Sequence, residues 1–157
     1  MAEEKQIEVG TEEETYQACC FHIGGALCGI DIELIQEINK KIDVTNVPLS
    51  EEYLMGIMNL RGEIVTIIDL GKKLGLGKTD VDADNRVIIL KFEDEFIGLV
   101  VGDVSDIITI EKDKVSPPPS NIKGLQGKYF KGVYSDELGV VGLLDVKSVL
   151  NSEKVQE

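Results

Sequence analysis

Gly29-Ile30-Asp31-Ile32-Glu33-Leu34-Ile35-Gln36-Glu37-Ile38 has a counterpart 69 positions later in Gly98-Leu99-Val100-Val101-Gly102-Asp103-Val104-Ser105-Asp106-Ile107. The same offset carries Pro48 onto Pro117. From Tyr53 the offset becomes 76: Tyr53, Gly56, Val65 and Asp69 fall on Tyr129, Gly132, Val141 and Asp145, and apolar Ile64, Ile67, Ile68 and Leu70 fall on Val140, Leu143, Leu144 and Val146. The seven additional residues of the second copy therefore lie between Pro117 and Tyr129. Apolar matches come easily in strand-rich sequence, so the Gly, Pro, Tyr and Asp matches carry the inference. A period of about 70 is too long for solenoid repeats of about 20 to 50 residues and suits two small β modules.

Within each copy the pattern is that of short strands and tight turns. Tyr16 to Ile23, the pair Gly24-Gly25, and Ala26 to Ile30 form a hairpin signal, because paired glycines accept the positive φ angles of a primed turn. Its copy runs Arg86 to Phe92 and Phe96 to Val101 around Glu93-Asp94-Glu95. Met55 to Leu60 and Ile64 to Ile68 flank a tip that reads Asn-Leu-Arg-Gly, and the copy places Gly132 to Tyr134 and Val140 to Leu144 around Ser135 to Gly139. Ile32, Ile35, Ile38 and Ile42 suit either a helix or a short helix opening into a strand. Each copy closes with an Asp before a helix-like segment, Asp69 before Leu70 to Leu74 and Asp145 before Val146 to Leu150, as a favoured N-cap would. Residues 1 to 14, rich in Glu, are expected to be a disordered acidic arm, and Lys78 to Asn85 a polar linker between the copies.

With 157 residues, 43% hydrophobic and 29% charged, the chain has ordinary globular composition, and neither copy alone would bury much surface. The formal charge of −13 counts against a nucleic-acid or anionic-membrane partner, whose phosphates call for basic residues. No apolar run approaches a membrane span and Met1-Ala2-Glu3-Glu4-Lys5 lacks a signal pattern, so a cytoplasmic location without membrane insertion is expected. Cys19, Cys20 and Cys28 read as buried free thiols.

Catalytic constellations do not emerge from the spacing. His22, the single histidine, falls in a strand pattern without an obvious nucleophile or orienting partner, Cys28 included. Gly77-Lys78-Thr79 resembles the end of a phosphate-binding loop, but Lys72 stands where that loop needs its first Gly. Asp80-Val81-Asp82-Ala83-Asp84 begins like a calcium loop, yet Asn85 replaces the turn Gly and Lys91 the closing Glu. No enzyme activity, metal or cofactor is expected from such a chain. A binding or scaffold module is.

Gly56-Ile57-Met58-Asn59-Leu60-Arg61-Gly62-Glu63-Ile64-Val65-Thr66-Ile67-Ile68-Asp69-Leu70 resembles the signature of the CheW family, the coupling proteins of bacterial chemotaxis. Gly29 to Ile32 with Gln36-Glu37-Ile38, and Gly98 to Val101 with Val104-Ser105-Asp106, resemble it too, over residues 15 to 152 in all. Thr66 departs from the Pro frequent there, and Thr suits a strand. The resemblance implies a mainly β fold of two intertwined five-stranded SH3-like barrels, with short helices and a C-terminal helix. Barrel one would span about 15–80, with the helix of residues 146–154 packing back on it, and barrel two about 86–145. It also implies a function, bridging the cytoplasmic tips of methyl-accepting chemoreceptors to the regulatory domain of the histidine kinase CheA, in arrays at the inner face of the membrane. An adaptor of a related motility pathway such as twitching, or a double-barrel module for a peptide or metabolite, are the alternatives.

Such an adaptor needs two separate surfaces and no chemistry. A receptor tip is a helical hairpin, so one surface should be an apolar groove rimmed by charge. Ile35, Ile38, Val87 and Ile107 are its candidate floor, and Glu37, Asn59, Arg61 and Gly62 its rim. Glu37 and Arg61 are expected to pair, since an Arg fork binds a carboxylate through two parallel hydrogen bonds. The kinase-facing surface is expected around Ser116, Pro117 and Asn121 on barrel two and around Ile32 and Gly56 on barrel one.

Overall fold

A computed structural model describes residues 14–40, 44–46, 51–76, 85–137 and 139–150. Ile42, Pro48, the linker before Asn85, residues 151–154 of the expected C-terminal helix and the acidic arm up to residue 13 lie outside the described residues. The first copy supplies β1 (Thr15–Ile23), β2 (Ala26–Asp31), β3 (Ile35–Asn39), β4 (Leu54–Leu60), β5 (Glu63–Asp69) and the short helix α1 (Leu70–Lys73). The second supplies β6 (Arg86–Phe92), β7 (Glu95–Val101), β8 (Val104–Glu111), the two-residue strands β9 (Val115–Ser116), β10 (Asn121–Ile122) and β11 (Leu125–Gln126), then β12 (Phe130–Asp136) and β13 (Gly139–Leu144). A helix over residues 146–150, α2, follows.

One sheet has the order β8-β1-β2-β13-β12-β9 and the other β3-β6-β7-β5-β4. Mapping each strand onto its copy turns one order into the other, with β9 as the extra member. The junctions agree as well: β2 runs parallel to β13, as β7 does to β5. Each sheet takes its central hairpin from the opposite half of the sequence. The sheets consequently do not divide at the expected boundary between residues 15–80 and 86–145. The chain changes sheet between Asp31 and Ile35 and again at Gly102-Asp103, which explains why the repeated Gly-x-x-x segments sit just before those crossings.

The alternation of side chains along each strand, period two, builds three cores from this exchange. On β1, Ala18 and Cys20 point into the six-stranded barrel with Ile110, Tyr134, Val141 and Leu143. On β6, Val87 and Ile89 point into the five-stranded barrel with Met58, Val65, Ile67 and Val100. The other faces of both strands, Cys19, Phe21 and Ile23 with Ile88 and Leu90, meet in a third core that also takes Leu70, Leu74, Val146, Val149 and Leu150. Fully burying one such side chain is worth about 1.5–3 kcal/mol, so this shared core binds the barrels into one unit.

Both expected caps form. Asp69 Oδ1 accepts from Lys72 N and Asp145 Oδ1 from Ser148 N, each at 3.3 Å. Their own amides donate to Tyr53 O at 2.8 Å and Tyr129 O at 3.0 Å, so the Tyr and Asp matches of the repeat are one paired structural device. Gly56 and Gly132 are equivalent too. A Cβ on Gly56 would lie 2.2 Å from Thr45 O, and one on Gly132 2.3 Å from Val115 Cγ1 and 2.9 Å from Ser116 O, where the segment before each barrel's last hairpin crosses it. That segment forms β9 in the second copy and a single bridge, Thr45 to Ile57, in the first.

Two turn expectations are refined. Only Gly24 of the Gly24-Gly25 pair has positive φ, 58°, the pattern of a II′ turn. Ile32–Leu34 is a single 3-10 turn, capped by Asp31 Oδ1 accepting from Glu33 N at 3.0 Å, after which the isoleucine-rich run is strand β3.

Candidate functional site

The hairpin joining β4 and β5 turns at Arg61-Gly62, whose φ angles of 53° and 86° define a type I′ turn. Asn59 Oδ1 accepts from Gly62 N at 3.0 Å and stiffens it, which is what the Asn-x-x-Gly spacing of the tip accomplishes. A non-Gly residue at positive φ is uncommon, and Arg61 uses that conformation to send its side chain across the open side of the sheet. Arg61 Nη1 donates to Glu37 Oε2 at 2.5 Å and Nη2 to Oε1 at 3.3 Å. β3, which carries Glu37, and β4 are the two outer strands of the sheet, so the fork joins its edges. The side chain of Arg61 is 76% exposed and that of Glu37 24%; the guanidinium therefore keeps most of its surface for a partner.

Ile38, next to Glu37 on β3, is exposed but points to the opposite face of the strand, since Glu37 pairs with Ile89 of the barrel-one core and Ile38 with Ile88 of the shared core. Ile35, two residues before Glu37, is half-buried against the shared core. Val87 does not belong on this surface: it is fully buried inside the five-stranded barrel, because β6 is a central strand with both faces covered. Ile107 is 59% exposed but lies on β8 of the other sheet. The structure thus gathers Glu37, Ile38, Asn59, Arg61 and Gly62 on barrel one, removes Val87, and leaves Ile107 on barrel two.

A concavity of ≈ 670 Å³ lies on barrel two between the β1–β2 turn, the segment from Ser116 to Lys123, and β12–β13. Leu27, Pro117, Pro119, Ile122, Val133 and Val140 give it an apolar lining. Val140 is 56% exposed and reaches solvent there. Of the residues expected to face the kinase, Ser116, Pro117 and Asn121 line this groove. Ile32 instead sits half-buried in the 3-10 turn against the shared core, and Gly56 is buried where Thr45 crosses. His22, at the groove's edge, has Nδ1 3.1 Å from Asp103 Oδ1 and flanks the hairpin as its strand pattern implied.

One lining residue escapes the sequence reading although the signal is present. Asn121-Ile122-Lys123-Gly124 repeats the pattern of Asn59-Leu60-Arg61-Gly62, a polar Asn, an apolar residue, a long cation and Gly. The geometry repeats with it: Lys123 and Gly124 have φ of 48° and 94°, and Asn121 Oδ1 accepts from Gly124 N at 2.9 Å. This turn joins β10 to β11 within the seven-residue insertion, which is why the offset of 76 does not align it with the first tip.

The cysteines are placed for packing. All three are free and buried; burial, then Cys19, Asp136 and Asp106, pushes the Cys20 thiol up to about 11. Burial, then Cys20, pushes the Cys28 thiol up to about 12. Thiols held so far from the thiolate are poor nucleophiles. No helix of the described residues is long and apolar enough to cross a membrane.

Comparison with known proteins agrees with the fold. A family model described as the CheW-like domain matches residues 17–154. The chain is 33% identical over 135 residues to the chemotaxis protein CheW of Klebsiella aerogenes, covering 86% of this chain and 81% of that one. It is 29% identical over 157 residues to the chemotaxis protein CheW of Treponema pallidum, covering 98% and 92%. The crystal structure of the scaffolding protein TtCheW from Thermoanaerobacter tengcongensis superposes with a TM-score of 0.75 at 29% identity, covering 83% of this chain and 84% of that one. The double barrel, the exchanged hairpins and these matches lead to one conclusion: the chain belongs to the CheW-like family of non-catalytic chemotaxis adaptors.

Proposed function

We propose that this chain couples the cytoplasmic tips of chemoreceptors to the regulatory domain of the kinase CheA, and that it works in the cytoplasm at receptor arrays on the inner face of the membrane. The observation that carries the proposal is the separation of two unlike surfaces on two sheets: an ion-paired, arginine-bearing tip at the edge of barrel one, and an apolar groove on barrel two. A bridge needs such a separation, because partners competing for one face could not be held together. The receptor surface comprises Glu37, Asn59, Arg61 and Gly62 at the fork, with Ile38 and half-buried Ile35 on the other face of β3 extending it around the strand. Ile107, on the exposed edge of barrel two, extends that surface only if the receptor reaches both barrels. The kinase surface comprises Ser116, Pro117 and Asn121. Ile32 and Gly56 shape barrel one behind these surfaces.

A bridge acts by favouring one arrangement of its partners. The chain should therefore raise kinase phosphoryl transfer only when receptor is present. The test is retention of a receptor cytoplasmic fragment and CheA together on the immobilised chain, followed by the kinase assay. Joint retention with receptor-dependent activation supports coupling. Retention of neither, or equal activation without receptor, refutes it.

A further inference from the structure

The turn at Asn121-Ile122-Lys123-Gly124 repeats the turn at Asn59-Leu60-Arg61-Gly62 in sequence pattern, φ signs and side-chain hydrogen bond, but the two cations meet different fates. Arg61 finds Glu37 within its own chain. Lys123, exposed at the rim of the barrel-two groove, has no carboxylate within ion-pair reach among the described residues. No Asp or Glu lines that groove among the described residues, in a chain whose formal charge is −13. A groove spared of acid in so acidic a chain, with one such ammonium beside apolar walls, is complementary to an acidic side chain flanked by apolar ones.

The platform is also fixed before any partner arrives. Leu76, just after α1, lies beneath both turns that frame the groove: a Cβ on Gly24 would meet its Cδ1 at 2.7 Å and one on Gly124 its Cδ2 at 2.9 Å. Gln126 N donates to Leu74 O at 2.8 Å, fastening the β10–β11 hairpin to the same segment. A held turn removes the backbone share of the ordering cost of pairing, leaving only the lysine's own rotamers to be fixed, whereas a loose loop would add both.

We propose that Lys123 is the specificity-determining cation of the barrel-two groove, pairing with a carboxylate of a partner segment whose neighbouring apolar side chains fill the lining, as an intermolecular counterpart of the Arg61–Glu37 fork. This rests on the coupling role proposed above, which makes the CheA regulatory domain the partner. The test is calorimetric titration of that isolated domain into the full chain and into Lys123→Ala, Lys123→Glu and Lys123→Arg, with denaturant midpoints as a folding control. Affinity should fall about tenfold for Lys123→Ala and further for Lys123→Glu, while Lys123→Arg retains it and all midpoints stay unchanged. Wild-type binding together with undiminished Lys123→Glu binding overturns the lysine's role and leaves coupling standing. Absence of wild-type binding overturns both. A second copy of the chain occupying the groove, detected as a dimer in sedimentation that Lys123→Glu dissolves, overturns the proposed occupant.

Discussion

In the five-stranded barrel, Glu37 on one outer strand is held by Arg61 from the hairpin at the other. The six-stranded barrel carries Asp106 and Glu137 at the corresponding positions, 69 and 76 residues on, two acids where the first barrel has an acid and a base. Strand order, parallel junctions, capping aspartates and crossing glycines are all retained between the halves. The backbone plan is therefore independent of the ion pair. What the pair alters is the surface, one barrel presenting a tied, arginine-bearing tip and the other an acidic one, so that two copies of one architecture present different surfaces.

The sharpest way to test that the plan is shared lies at the crossing glycines. Gly56 has φ of 144° and would place a Cβ 2.2 Å from a backbone oxygen, so neither rotation nor a side-chain shift relieves Gly56→Ala, and a loss of about 3 kcal/mol in denaturant unfolding is expected. Gly132→Ala meets a valine methyl first, which can give way, and should cost about 2 kcal/mol. Equal and negligible costs would show that the crossings are not tight in solution.

Arg61→Ala should separate surface from architecture. An exposed ion pair contributes about 0 to 1 kcal/mol to folding, so the denaturant midpoint should move little. Receptor affinity should fall by about 2 kcal/mol, the size of an interface hot spot, and Glu37→Ala should resemble it. A double-mutant cycle on both quantities decides. If the two losses of affinity simply add, the residues are not coupled; if Arg61→Ala unfolds the chain, the pair is structural.

Much of this is legible in the residues and some is not, for identifiable reasons. The repeat, the hairpins, the capping aspartates and the Arg61–Glu37 pairing follow from spacing, turn chemistry and family signature. The exchange of hairpins between sheets assigns strands to barrels by long-range pairing, which local pattern does not encode, and a boundary drawn near residue 85 misses it. Val87 is misplaced by sequence because an apolar residue on a central strand reads the same as one on an exposed edge. Lys123 is overlooked because its motif lies inside the insertion, where aligning the halves by a fixed offset skips it.

A smaller contrast concerns alkali. Cys20 and Cys28 lie on strands of the six-stranded sheet, with thiols raised from 9.0 to about 11 and about 12. Tyr16 on β1 is raised from 10.0 to about 12 by burial and then by Asp31. Above pH of about 9 the unfolded chain loses protons that the folded chain still holds, so stability must fall as pH rises through these values and be fully present below about 9. Denaturant midpoints from pH 8 to about 11 should decline in the wild type and decline less in Cys20→Ala, after allowance for the packing lost with the sulfur. An identical slope in the variant would remove Cys20 from the cause.

The smallest expected effect is the most direct trial of the comparison itself. Glu137→Arg places a guanidinium where the second barrel's counterpart of Arg61 belongs, facing Asp106 as the counterpart of Glu37. Glu137, unlike Arg61, is not at positive φ, so a fork forms only if the introduced guanidinium reaches across from this differently set turn, like charges at the two positions being exchanged for opposite ones. The gain should be small, about 0.5 kcal/mol in denaturant unfolding, because both residues are exposed and screened by solvent. The cycle must include Asp106→Ala, since the charge change alone, in a chain at −13, could stabilise without any pair. Coupling between the guanidinium introduced by Glu137→Arg and the Asp106 carboxylate, weakening as salt is added, would establish that barrel two can be closed as barrel one is. Absence of coupling at low salt would mean that the turn geometry by which the tip at Asp136-Glu137 differs from the tip at Arg61, and not charge alone, keeps the edges of barrel two apart.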